Sequence, residues 1–149
     1  DKAWEIIEQV NYQGYDSLLP FKNVKETGAF PYTPSWVNLA QLFKATQDIL
    51  DEGLDNAVKR HYECAELVRK CIKEKGYKLF PKSDEFSSPT VTAVYVPENT
   101  NWVDFDKKFR EKGVVFGGNY GDLAGKVFRI GHMGSQAKLE HVKKLCSLM

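Results

Sequence analysis

The hydrophobic pattern of this 149-residue chain changes its period at Gly76, and this change limits the folds open to it. Between residues 33 and 76, apolar residues recur at helical spacing in two stretches. The first predicted helix opens at Thr33-Pro34, a hydroxyl cap followed by proline, and stops at Gly53. The second runs from about Leu54 to Lys75, with glycine as its stop. Helices followed by strands indicate the α+β class.

After Gly76 the pattern predicts short strands alternating with helices. The predicted strands lie at 77–80, 90–96, 114–116 and 127–130, and the predicted helices at 103–112 and 135–148. Together they indicate a two-layer α+β unit with helices on one face of a small sheet. Residues 1–10 predict a further short helix, and residues 11–32 are predicted to be irregular. The first fifty residues do not fit the α+β unit by pattern.

The composition excludes several classes of protein. Hydrophobic residues make up 42% of the chain and aromatic residues 13%, as in a folded protein. Lysine and arginine number 21 against 20 acidic residues, so the basic excess of a nucleic-acid-binding protein is lacking. No apolar run has the length of a membrane span, and the N-terminus does not read as a signal peptide. We therefore expect a cytoplasmic protein that binds neither nucleic acid nor membrane.

The cysteines and histidines give no metal-binding pattern. Cys64, Cys71 and Cys146 are an odd number without CxxC spacing, and we expect them to be reduced thiols. Cys64 and Cys71 lie seven residues apart on a helical pattern, hence on one face. The three histidines have no ligand spacing relative to these cysteines. No metal site is expected.

One arginine interrupts an apolar stretch near the C-terminus, where Arg129 stands between Phe128 and Ile130 and glycines follow. A guanidinium on such a strand costs free energy unless an anion meets it. Its planar fork suits a carboxylate in two-point contact. The anion is either an Asp or Glu of the chain, in an internal salt bridge, or the carboxylate of a small acid substrate.

The segment before this strand, Gly117–Gly125, contains four glycines. It has neither the GxxxxGK[ST] pattern nor a GxGxxG that opens a helix, so a nucleotide-binding loop is not predicted. We expect a flexible connection between two sheet strands. Its glycines would let the backbone pass close to a bound ligand.

Five short motifs follow one another along the chain. They are Thr33-Pro34; Asp51-Glu52-Gly53-Leu54-Asp55-Asn56 with Arg60-His61; Pro89-Thr90-Val91-Thr92-Ala93; Gly117-Gly118; and Gly125-Lys126-Val127-Phe128-Arg129-Ile130-Gly131-His132-Met133-Gly134. In this order and spacing they resemble the class V pyridoxal-phosphate aminotransferases, and in particular the alanine–glyoxylate and serine–pyruvate aminotransferases. The resemblance extends over essentially the whole chain.

The resemblance implies the C-terminal part of such an enzyme. Residues 1–52 would be the tail of the large cofactor-binding domain and the start of the interdomain helix. Residues 53–149 would be the small C-terminal domain, whose sheet is mostly antiparallel. The catalytic lysine that binds pyridoxal phosphate would lie before Asp1, so we expect the chain alone to be inactive. The intact enzyme would be a homodimer that transfers an amino group from alanine or serine to glyoxylate or pyruvate.

The resemblance also implies roles for three residues. Arg129 would bind the α-carboxylate of the amino acid or 2-oxo acid. Thr33 would contact the cofactor phosphate of the partner subunit. Tyr32 is a weaker candidate for the same phosphate, because some members place a phosphate-contacting tyrosine where this chain has Phe30. No residue of the chain is expected to be catalytic itself.

Other interpretations stay open at this point. An α+β unit of this size can bind a small ligand without catalysing a reaction. The same scaffold also supports pyridoxal-phosphate lyases and cysteine desulfurases, and a desulfurase needs a reactive cysteine on a mobile loop. His61 is expected to pack or cap within its helix. His132 directly follows the arginine strand and is expected either to pack or to face the active-site mouth.

Overall fold

The computed structural model describes residues 2–149, and the chain divides into two units between Asp48 and Ile49. The first unit contains helices α1 (Lys2–Val10) and α2 (Val24–Thr27) and most of α3 (Trp36–Glu52). The second unit contains α4 (Leu54–Glu74), β1 (Val91–Tyr95), α5 (Trp102–Arg110), β2 (Val127–Gly131) and α6 (Leu139–Leu148). Four short 3₁₀ turns connect these elements, at Leu19–Phe21, Asp84–Phe86, Gly121–Leu123 and Gly134–Gln136.

The second unit is built on β1 and β2, which form the two-stranded antiparallel sheet of the described residues. In its register Thr92 lies opposite Ile130, and Val94 lies opposite Phe128. These four side chains are buried and, because strand residues alternate between faces, they share one face of the sheet. Arg129 lies opposite Ala93 and belongs to the other face.

Helices cover the buried face of the sheet. Val94, Phe128 and Ile130 belong to one apolar core with side chains of three helices, namely Cys64, Val68 and Ile72 of α4, Phe105 and Phe109 of α5, and Val142 and Leu145 of α6. Burying a large apolar side chain contributes about 1.5–3 kcal/mol, so this core dominates the stability of the unit. The predicted α+β class, with an antiparallel sheet and helices on one face, is confirmed.

Neither the strand predicted at 77–80 nor the one predicted at 114–116 is formed; single bridges are found at Leu79 and at Gly117, just after the second segment. Residue Leu79 bridges Val94 of β1, and Gly117 bridges Arg129 of β2. Residues 114–116 do not pair with β2, and the Val114 amide instead donates to the Phe109 carbonyl at the end of α5, at 2.9 Å. The residue after this segment, Gly117, is the one that pairs with β2.

Two helices begin later than their patterns predict. Helix α3 begins at Trp36 rather than at Pro34, and the Leu39 amide donates to the Ser35 carbonyl at 3.0 Å. Ser35 thus precedes the first helical residue, and the predicted cap at Thr33 is wrong. Helix α6 begins at Leu139 because residues Gly134–Gln136 form a 3₁₀ turn. Within residues 2–149, no helix is both long enough and apolar enough to cross a membrane.

Candidate functional site

Arg129 lies at the centre of β2, on the face of the sheet away from the helices. Its backbone amide and carbonyl pair with Gly117, at 2.7 and 3.0 Å. Its guanidinium is half-buried and donates from Nε and Nη2 to the Gly118 carbonyl, at 3.1 and 2.7 Å. Within residues 2–149 no Asp or Glu forms an ion pair with Arg129. The internal salt bridge considered from the sequence is therefore not formed in this part of the chain.

The Gly118 carbonyl occupies one edge of the guanidinium and leaves another edge open. A guanidinium has five N–H donors, and no acceptor for Nη1 of Arg129 lies within the described residues. The exposed Tyr120 ring lies 5.7 Å from the central guanidinium carbon, a cation–π distance. The Nη1–Nη2 edge thus has the geometry for a two-point contact with a carboxylate.

The glycine pair 117–118 lies between this guanidinium and an aromatic wall. A Cβ at Gly117 would lie 3.6 Å from Nη2 of Arg129, and one at Gly118 would lie 3.4 Å from the Trp102 indole. Trp102 of α5 in turn stacks on Phe128, with ring centroids 6.0 Å apart. Because Phe128 is a core side chain, this stack holds the Gly118 carbonyl, and hence the guanidinium, against a rigid support.

Two side chains of α4 hold the segment that follows β2. Arg60 donates from Nη1 to the carbonyls of Gly134 and Ala137, both at 2.8 Å. It also forms a two-point pair with Glu52, at 2.5 and 2.7 Å, and this hydrogen bonding lowers the pKa of the Glu52 carboxyl. His61 accepts from the Gly134 amide at Nε2, at 2.9 Å. Its Nδ1 therefore carries the proton and donates to the Ala57 carbonyl at 2.6 Å.

His132 packs inside the unit. Its side chain is 2% exposed, and Nε2 lies 2.9 Å from the Thr92 hydroxyl. Burial lowers the pKa of this imidazole, because a charged ring would lose its hydration there. Of the two orientations considered from the sequence, the structure shows the packed one.

Both sequence and fold resemble aminotransferases. The chain is 39% identical over 145 residues to an uncharacterised aminotransferase of Methanocaldococcus jannaschii, covering 90% of this chain and 36% of that protein. It is 37% identical over 119 residues to a serine–glyoxylate aminotransferase of Methylorubrum extorquens, covering 79% and 30%. The crystal structure of pyridoxamine–pyruvate aminotransferase from Mesorhizobium loti superimposes with a TM-score of 0.83, at 30% identity, covering 89% and 34%. The chain is a relative of the class V aminotransferases.

The resemblance inferred from the five motifs is thereby confirmed. No protein-family model matches the chain. The chain spans about a third of the length of these aminotransferases. The activity, substrates and partners of a whole class V aminotransferase are therefore matters of proposal for this chain.

The two residues that the resemblance assigns to the cofactor phosphate belong to the first unit. Thr33 is exposed, and its hydroxyl has no hydrogen bond to any described residue. Tyr32 is half-buried, and its hydroxyl donates to the Tyr15 carbonyl. Its ring lies against those of Tyr15 and Phe21, at centroid distances of 4.6 and 6.0 Å. Thr33 thus has a donor available for a phosphate, whereas the Tyr32 donor is already used.

The residue pattern did not indicate three contributors to the Arg129 site. The Gly118 carbonyl orients the guanidinium, Tyr120 covers it, and Trp102 supports the loop. The glycine pair was a usable signal, because adjacent glycines permit a close backbone approach. Nothing in the residue pattern indicates which carbonyl approaches the arginine.

His132 is expected to make folding stability depend on pH below its ordinary pKa of 6.5. As the pH falls, the unfolded chain takes up a proton that the buried ring resists, so the free energy of unfolding falls by up to about 1.4 kcal/mol per pH unit. In His132→Gln this part of the slope is lost. Urea denaturation from pH 7.5 down to pH 5 measures it, with His141→Gln, an exposed histidine, as the control. Equal slopes for wild type and His132→Gln would contradict the prediction.

Proposed function

We propose that this chain supplies the substrate-carboxylate site of a pyridoxal-phosphate-dependent aminotransferase. The observation that carries the proposal is the guanidinium of Arg129, which has no acidic partner within residues 2–149 and one open edge. The proposed reaction transfers an amino group from alanine or serine to glyoxylate or pyruvate. Support for the acceptors comes from the names of its relatives, a serine–glyoxylate and a pyridoxamine–pyruvate aminotransferase.

Arg129 performs the orienting step in this proposal. Both the amino acid and the 2-oxo acid carry a carboxylate next to the reacting carbon, so one guanidinium serves both half-reactions. The Gly118 carbonyl fixes the fork before substrate arrives, and the open Nη1–Nη2 edge takes the two carboxylate oxygens. Such positioning restricts the motion of the substrate when it binds, so less translational and rotational entropy is lost in reaching the transition state.

Thr33 is the residue of this chain that fits the proposed cofactor. Its hydroxyl is exposed, and it lies just before α3, whose N-terminus favours an anion such as a phosphate. Tyr32 fits less well, because its hydroxyl already donates to Tyr15. Pyridoxal phosphate, when bound, would supply the electron sink for breaking a bond at the α-carbon. The catalytic lysine is proposed to lie in the remainder of the enzyme.

The organisation of the intact enzyme is likewise part of the proposal. Residues 1–52 are proposed to end the large cofactor-binding domain, and residues 53–149 to form the small C-terminal domain. The observed division lies four residues earlier, between Asp48 and Ile49, inside α3. A homodimer in the cytoplasm is proposed from the resemblance, and the three unpaired cysteines agree with a reducing compartment.

Two measurements test the proposed function. The polypeptide that carries this chain together with the remaining two thirds is expected to transaminate glyoxylate or pyruvate, with a panel of amino acids as donors. The 149-residue chain with added pyridoxal phosphate is expected to give no turnover. Turnover by the short chain would contradict the proposed place of the lysine. A long polypeptide that binds carboxylates without turnover would favour the ligand-binding module instead.

The desulfurase alternative finds no support in the positions of the cysteines. Cys64 and Cys71 are buried in α4, and Cys146 lies in α6. None of them is on a loop, where a persulfide-forming cysteine would need to move.

A further inference from the structure

Two of the three cysteines lie on helix faces that pack against each other. Cys71 belongs to the inner face of α4 together with Val68, and it is 5% exposed. Cys146 is half-buried on α6, next to Leu145, and packs against the core to which Val68 belongs. Helices α4 and α6 are in direct contact.

The register of these two helices brings the cysteines opposite each other. Near its start, α4 reaches the beginning of α6 through the Arg60 bond to the Ala137 carbonyl. Further along, Val68 of α4 lines one cavity together with Leu145 of α6. The helices therefore run side by side in the same direction. Cys71 lies 11 residues after Arg60, and Cys146 lies 9 residues after Ala137, so their heights along the two helices differ by less than one turn.

We propose that Cys71 and Cys146 form a redox site that closes to a disulfide in the presence of a peroxide. The Cys146 thiol is one of the causes that raise the pKa of Cys71, which agrees with this placement of the two side chains. The site is independent of the Arg129 site and of the proposed transamination.

The reaction balances with one peroxide for two thiols. The more exposed Cys146 attacks hydrogen peroxide as thiolate: an S–O bond forms, the O–O bond breaks, and one water leaves with the thiol proton. The sulfur of Cys71 then attacks the resulting sulfenic acid. The S–S bond forms, the S–O bond breaks, and hydroxide leaves as a second water with the Cys71 proton.

The order of attack follows from burial. Burial raises the pKa of Cys71 to about 12, and the neighbouring Cys146 thiol adds to the effect. Cys71 is therefore a poor first nucleophile, since the thiolate is the reactive form. Cys146, which is half-buried, is the thiol that an oxidant reaches.

Cys64 provides an internal control. It lies on α4 seven residues before Cys71, so the two α-carbons are separated by about 10 Å of helical rise. A disulfide needs α-carbons within roughly 7 Å, so Cys64–Cys71 cannot close while α4 is folded. In the unfolded chain we expect Cys64–Cys71 to be the preferred disulfide, because it closes the shortest loop.

The test is oxidation of the folded protein by hydrogen peroxide, followed by thiol titration and peptide mapping. We expect the number of titratable thiols to fall from three to one, with the mass of two hydrogens lost and Cys71 linked to Cys146. Dithiothreitol should restore all three. The same oxidation in 8 M urea is expected to link Cys64 to Cys71 instead.

Two variants sharpen the test. Cys146→Ser, at a half-buried position, is expected to abolish the intramolecular disulfide, whereas Cys64→Ala is expected to retain it. Mapping of the wild-type protein needs no variant and stands if either fails to fold. A Cys64-containing disulfide in the folded protein would overturn the proposal. So would an intermolecular disulfide, or irreversible oxidation of Cys146 without loss of the Cys71 thiol.

Discussion

Replacing Arg129 by alanine in the intact enzyme is expected to lower kcat/KM by roughly 30-fold to several-thousand-fold, the cost of removing one partner of a buried charge pair. The loss should affect the amino acid and the oxo acid alike, since both present their carboxylate to the same edge. Part of this loss should appear as a lower kcat, because a substrate whose carboxylate is not bound by Arg129 is also misoriented. Steady-state kinetics of both half-reactions measure this.

Arg129→Lys separates charge from geometry. Lysine keeps the positive charge but has neither the planar fork nor the two donors that the Gly118 carbonyl fixes, so only a small part of the activity should return. Arg110→Ala is the matched control, because that arginine is exposed and pairs with Asp106 on α5. A stable Arg129→Ala enzyme with unchanged kinetics would show that the guanidinium serves the loop and not the substrate.

The elements with long apolar repeats could be predicted from the sequence. Helix α4 was predicted at Leu54–Lys75 and runs over Leu54–Glu74, because its apolar stripe spans the whole length and glycines bound it. Strands β1 and β2 were predicted within one residue at each end. The strands predicted at 77–80 and 114–116 are not formed: the first is reduced to the Leu79–Val94 bridge, and the second is followed by a bridge at Gly117. Tertiary pairing decides this outcome, and a short run of strand-type residues does not reveal it.

The candidate site likewise has a part that could be predicted from the sequence and a part that could not. Arg129 could be predicted, since a guanidinium among apolar residues is unusual enough to need an explanation. The choice between a salt bridge and an open edge needed the structure, because it depends on which groups of distant segments reach the strand. The acceptor that meets the guanidinium is the Gly118 carbonyl and not an Asp or Glu side chain. The sequence pattern does not indicate which backbone carbonyl will be that acceptor.

Phe128→Ala is expected to destabilise the chain by about 3–5 kcal/mol, a large part of the stability of a small domain. The Phe128 side chain is fully buried, and its ring centroid lies 5.0 Å from those of Phe105 and Phe116. Removing it leaves a cavity between the sheet and α5 that these rigid rings cannot fill. Urea denaturation measures the loss.

Phe86→Ala is the control, since that side chain is 75% exposed and should change stability by no more than about 0.5 kcal/mol.

The Phe128 substitution should also disturb the position of the neighbouring Arg129 side chain. Trp102 stacks on Phe128 and lies beside Gly118, so a Trp102 ring that has lost its support should loosen the carbonyl that orients the guanidinium. In the intact enzyme, KM for the oxo acid should therefore rise even at temperatures where Phe128→Ala is folded. A rise in KM that also appears for Phe86→Ala would break this link between the core and the carboxylate site.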